Sequence, residues 1–152
     1  MAAQTTGNPS STDSTSFDTA RTKREQLGEA MRMLAAVVDH PIADPARWQA
    51  EVISALDVTR DGIHEHVERA ESADGLYTMI RTDAPRLGRQ LEHLADEHVA
   101  MLDTTSELRD RLDDLDPGAV EAEAPVVRSE ARALLETLRR HRERGADLVY
   151  RT

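Results

Sequence analysis

The side chains most able to do chemistry in this chain are six histidines, at positions 40, 64, 66, 93, 98 and 141. A neutral imidazole offers a nitrogen lone pair to iron, zinc or copper, and it titrates near pH ~6.5, so a group of them can hold a metal or carry protons. The chain has no cysteine. That removes disulfides, thiolate nucleophiles and thiolate metal sites, and any metal must rely on His, Asp or Glu. Other catalytic arrangements are missing too: there is no glycine-rich phosphate loop, no Gly-x-Ser-x-Gly turn and no inward pair of carboxylates. The expectation is a protein that is not an enzyme.

The histidines matter only if the elements that carry them face one another. Apolar residues recur at helical spacing in four segments separated by proline, glycine and aspartate, and nothing reads as a strand. The first helix is expected from about Asp18 to Asp39, closed by His40-Pro41, with Leu27, Ala30, Met31, Leu34, Val37 and Val38 on its inward stripe. The second opens at Asp44-Pro45 and buries Trp48, Val52, Leu56, Ile63, Val67 and Ala70. It is expected to bend near Ser72 to Gly75 and to continue through Leu76 to Ile80, turning at Thr82-Asp83. Asp83 is expected to cap a third helix that buries Leu87, Leu91, Leu94, Met101, Leu108 and Leu112 and stops at Asp116-Pro117-Gly118. A fourth begins near Pro125 and is expected to bury Val127, Ala131, Leu134, Leu138, Leu148 and Val149. Short turns between long helices predict an all-α, antiparallel up-down four-helix bundle over residues 17–152, behind a disordered tail over residues 1–16 whose composition cannot offset the entropy of ordering it.

On these helices the histidines divide by face. At about 100° per residue, His98 lies within about 40° of the centre of its stripe, His141 within roughly 20°, and His66 at the edge of its own. His93 points outward, His64 lies further round, and His40 sits in a loop. His66 and His98 are each about 16 residues from the turn that joins their helices, and His98 and His141 are about equally far from theirs, so all three are expected at one level. Such a layer suits a metal site built from facing helices. The alternative is three core histidines, each bonded to a neighbour or water. His64 and Glu68 could clasp a metal at the surface, but an exposed helix pair is the commoner meaning of that spacing.

The blocks His66-Val67-Glu68-Arg69-Ala70-Glu71, Asp74-Gly75-Leu76-Tyr77, Ala84-Pro85-Arg86-Leu87 and Leu94-Ala95-Asp96-Glu97-His98, together with His141, resemble the hemerythrin-like, HHE cation-binding family. The resemblance implies a helical bundle with a non-haem di-iron centre, held by about five histidines and two bridging carboxylates and used for oxygen binding, iron handling or redox sensing. The chain departs from that pattern. The positions four residues after His66 and His141 are Ala70 and Gly145, so both bridging carboxylates are missing, and the first helix lacks a histidine between Asp18 and Thr22. Lys23 and Arg24 are expected on or near its inward side, where positive charge opposes a cation.

The expected function is therefore a non-catalytic binding or regulatory module whose metal centre is reduced or lost, without a cofactor. One alternative is a functional non-haem iron or other transition-metal protein anchored by His66, His98 and His141, with a carboxylate from Glu71 or Glu97. The other is a bundle used only for assembly. With 29 acidic and 19 basic residues the net charge is −10. That surface repels nucleic acid and anionic lipid; a cationic partner, such as an unidentified protein, or simple solubility fits it better. Without an apolar span or a secretory signal, the expected location is the cytoplasm.

Overall fold

The computed structural model describes residues 11–152, with side chains from residue 25 onward. Among the described residues the protein is all-helical and has no strand. Four long helices, α1 (Ser11–Asp39), α2 (Pro45–Glu71), α4 (Gly88–Asp113) and α5 (Val120–Tyr150), are joined by short connections, with the short α3 (Leu76–Asp83) between α2 and α4. Single 3₁₀ turns, Pro85–Leu87 and Pro117–Ala119, precede α4 and α5. No described helix is long and apolar enough to cross a membrane.

Local chemistry explains most of the boundaries. Asp44 accepts a hydrogen bond from the Arg47 backbone N–H at 3.2 Å, capping α2, and Pro45 fills the first helical position, where no N–H is needed. At the same end of α2, Gln49 donates its side-chain amide to the carbonyls of Leu112 (2.7 Å) and Leu115 (2.9 Å), tying the start of α2 to the end of α4. The fully buried hydroxyls of Thr59 and Thr105 bond the carbonyls of Ala55 and Met101, one turn back.

Several boundaries differ from those the sequence predicts. Helix α1 starts at Ser11, so the tail expected over 1–16 is helical from 11; adding a residue to an existing helix makes a bond without a new nucleus. Residues 1–10 lie outside the described residues, as do the side chains of Lys23 and Arg24. Helix α2 does not continue past its bend. It ends at Glu71, with the Ser72 N–H on the Glu68 carbonyl, and α3 starts afresh after Gly75. Asp83 ends α3 rather than capping α4, because the next N–H, of Ala84, still bonds the Ile80 carbonyl. Pro125 lies inside α5 instead of opening it. Only one early backbone bond is lost there, whereas the preceding turn buries Val120 and Ala124, each about as completely as any core residue.

Two apolar clusters form the core. The larger draws Leu34 and Val38 from α1, Val52, Leu56 and Ile63 from α2, Met101 and Leu112 from α4, and Leu134 and Leu138 from α5. The smaller gathers Ala70, Tyr77, Ile80, Leu87, Leu91, Leu94 and Leu148. Among the buried members, the clusters are separated on α2 between Ile63 and Ala70, with the partly buried Val67 packed on the larger one, on α4 between Leu94 and Met101, and on α5 between Leu138 and Leu148. A histidine occupies each gap: His66, His98 and His141.

Candidate metal centre

The three histidines come together because each lies one turn or less from core residues that fix its helix face. His98 and His141 are 1% and 2% exposed, and His66 is half-buried. The Nε2 atom of His141 lies 3.1 Å from that of His66 and 3.0 Å from that of His98, and one potential ligand atom from each ring falls within 4.8 Å of the other two. The rings are splayed rather than stacked, with centroids 4.7 to 5.2 Å apart and interplanar angles of 62° to 85°. Three imidazoles from three helices thus aim their Nε2 edges at one space.

The opposite ring edges are held by carboxylates. Glu71 Oε1, at the end of α2, lies 2.5 Å from His98 Nδ1, and Glu97 Oε2, on α4, lies 2.7 Å from His141 Nδ1. The second oxygen of Glu97 is held by Arg144 and lies 3.4 Å from His93 Nε2. A carboxylate next to Nδ1 keeps the proton on that nitrogen and leaves the lone pair on Nε2. His98 and His141 then face each other across 3.0 Å with two lone pairs and no hydrogen between them. That contact is repulsive unless a cation sits at it, either a proton or a metal.

Electrostatics separates those two cations. Burial, the positive charge that His141 and His98 would carry, and then Arg69 and Arg142 hold the His66 pKa down to about 3. Burial also lowers that of His141, against the opposing hydrogen bond to Glu97. Protonating His66 or His141 near pH 7 is therefore unfavourable. A metal ion has the geometry to fit: with metal–nitrogen bonds of about 2.0–2.1 Å and angles between roughly 90° and 110°, neighbouring ligand nitrogens lie about 2.8–3.4 Å apart. The two Nε2 separations, 3.0 and 3.1 Å, fall inside that range. Imidazoles whose outer nitrogens are fixed by carboxylates are the usual supporting arrangement of histidine metal sites.

All five residues picked out by sequence, His66, His98, His141, Glu71 and Glu97, meet in this cluster, but the carboxylates stand behind the rings, on the Nδ1 side. His93 is directed to solvent, its side chain 71% exposed, and His40, His64 and Glu68 are also exposed. Ala70 is buried and Gly145 half-buried, so neither puts a carboxylate near the rings. Tyr77 is the neighbour that sequence reasoning left out of the site. Its ring lies parallel to that of His98 (7°, centroids 5.7 Å apart), with Oη 3.4 Å from His98 Nε2. Burial and the charges of Glu71 and Glu97 push its phenol pKa upward. A cleft of about 570 Å³ between α1 and α2, lined by Glu25, Glu29, Asp61 and Glu65 among others, touches none of these rings.

Comparison with known proteins finds no match, whether to family models, to curated proteins or to solved structures.

Proposed function

We propose that this chain is a transition-metal-binding protein in which His66, His98 and His141 hold a single ion, and that its four long helices pack as an antiparallel up-down bundle of hemerythrin-like type with a reduced centre. The observation that carries the reading is the 3.0 Å approach of the Nε2 atoms of His98 and His141 while a carboxylate sits on each Nδ1. The short connections and the core shared by α1, α2, α4 and α5 support the bundle, and the missing carboxylates at Ala70 and Gly145 support one ion rather than a bridged pair. Iron, zinc, copper and cobalt are all compatible with neutral imidazole donors.

Each residue has a definite task. The histidines supply three neutral nitrogens, Glu71 and Glu97 fix ring orientation and offset two positive charges of the ion, and the flanking clusters enclose His98 and His141, with His66 half-buried at the edge. Binding with a sensing or storage role suits this closed site better than turnover, since two of the three ligands are almost fully enclosed.

Elemental analysis of untagged protein tests the reading, with cobalt(II) titration of metal-stripped protein alongside it. One ion per chain is expected, with a melting temperature that rises as RT ln(1 + [L]/Kd), and His98→Ala should remove both effects. A folded wild-type protein that binds none of iron, zinc, copper and cobalt would overturn it.

A further inference from the structure

We propose that Tyr77 is the fourth donor of this centre, its phenol oxygen closing the coordination shell that the three imidazoles begin. The inference rests on the three-histidine reading above and adds a ligand of different chemistry from a different helix.

The first argument is distance. A hydroxyl that donates to a ring nitrogen settles at roughly 2.7–3.0 Å, whereas Tyr77 Oη stands 3.4 Å from His98 Nε2, too far for a good hydrogen bond. Neighbouring ligands of one ion, with bonds of about 2.0–2.1 Å and angles between roughly 90° and 110°, lie about 2.8–3.4 Å apart, a range that reaches this distance. The oxygen is therefore placed as a neighbouring ligand would be, and on the Nε2 side of the ring, where the other two imidazole nitrogens converge.

Placement is the second argument. Tyr77 is only 5% exposed, and its hydroxyl reaches His98 Nε2 only at a long 3.4 Å. A buried hydroxyl without a good hydrogen bond is costly, and ligation removes that cost. The element that carries it is built for close approach: after α2 ends at its cap, Ser72, the Gly75 backbone passes so near α2 that an added Cβ would lie 2.7 Å from the carbonyl oxygens of Arg69 and Ala70. This contact ties the start of α3 to the end of α2, two residues before Tyr77 and four after Glu71. The carboxylate behind His98 and the phenol in front of it are thus set by one short segment.

Binding a dipositive ion in this arrangement releases the phenol proton to solvent, forms a metal–oxygen bond and leaves the oxidation state of the ion unchanged. Copper(II) is a suitable probe, because it favours imidazole sites strongly and a coordinated phenolate gives a visible charge-transfer band. Metal-stripped wild-type protein titrated with copper(II) should develop that band, with tyrosinate vibrations enhanced on resonance Raman excitation into it. The chain has two tyrosines, and Tyr150 is 90% exposed, so Tyr150→Phe should keep the band and Tyr77→Phe should lose it while still binding one copper. The wild-type Raman spectrum stands even if Tyr77→Phe folds poorly. Copper bound in a His98-dependent way without tyrosinate modes would overturn the role of Tyr77 and leave the three-histidine site intact. No copper bound at all would overturn both.

Discussion

Glu97 precedes His98 in sequence, yet it serves His141 on another helix, with Oε2 2.7 Å from the Nδ1 of that ring, while His98 is served by Glu71 from α2. The two carboxylates thus cross-link the helices that carry the ligands. Each fixes the tautomer of a ring it does not neighbour in sequence. The consequences differ, because the Glu97 side chain is 16% exposed and the Glu71 side chain 39%.

Glu97→Gln should therefore weaken metal affinity by about 10–100-fold, the usual cost of losing a partner behind a ligand histidine, without unfolding the protein. Glu71→Gln should weaken it less, since solvent can partly replace a more exposed carboxylate. Competition with a chelator of known affinity measures both. Equal affinity in wild type and Glu97→Gln would show that the carboxylate does not act through His141.

The metal-free protein should lose stability as pH falls. In the unfolded chain His66 returns to its ordinary value of 6.5, while in the folded state it is held down to about 3, and His141 is also lowered. Below 6.5 the unfolded state therefore binds more protons than the folded one, so this contribution is fully present above 6.5 and declines as pH falls toward 3. Urea melts in the presence of chelator at pH 7 and pH 5.5 read the upper part of that window, above the ordinary carboxylate range. His66→Leu should flatten the dependence, and an unchanged slope in that variant would remove His66 as its source.

How much of this was legible in the sequence depends on the range of the interaction. The inward faces of His66, His98 and His141 follow from helical periodicity, because each shares a stripe with buried residues such as Ile63, Leu94 and Leu138. The helical class and the Asp44-Pro45 start of α2 follow from equally local rules. The pairing of Glu97 with His141 spans 44 residues and that of Glu71 with His98 spans 27, and no spacing rule within one helix can give either. Tyr77 was hidden for a related reason. Read as an extension of α2 it is one more apolar residue, and only the break at Ser72 to Gly75 turns it toward His98. Pro125 misled in the opposite direction, since proline at a helix start is a strong local signal that burial of Val120 and Ala124 overrides.

Gly75 should resist substitution. Its φ of −81° is accessible to any residue, so the requirement is space: a Cβ would meet three backbone carbonyl oxygens at 2.7 to 2.9 Å, and backbone cannot swing aside as a side chain can. Gly75→Ala should destabilise the fold by about 1–3 kcal/mol through the shift it forces. It should also weaken metal binding by displacing Glu71 and Tyr77 together. Thermal melts and the copper titration check the two effects, and a variant as stable as wild type would mean that the α2–α3 junction yields freely.

Gly145 is the informative contrast, one helical turn beyond His141 on the same face, where a Cβ would meet nothing within 4 Å. Gly145→Glu should therefore fold, and replacing an interior helix glycine should stabilise the metal-free protein by about 0.5 kcal/mol. It also restores a carboxylate at one of the two positions where the family resemblance expects a bridge. The companion change, Ala70→Glu, would force a charge into the smaller apolar cluster beside Tyr77 and Leu148, so the single variant is the cleaner test. If the missing bridge alone limits the centre to one ion, Gly145→Glu should take up two ions per chain. A second ion would need nitrogen donors as well, however, and the remaining described histidines, His40, His64 and His93, are all exposed. We therefore expect the metal content of Gly145→Glu to stay at one ion per chain, with that ion held more tightly by the added oxygen. Two ions per chain by elemental analysis would overturn this expectation and show that a carboxylate, rather than further imidazoles, is what limits the proposed centre to one ion.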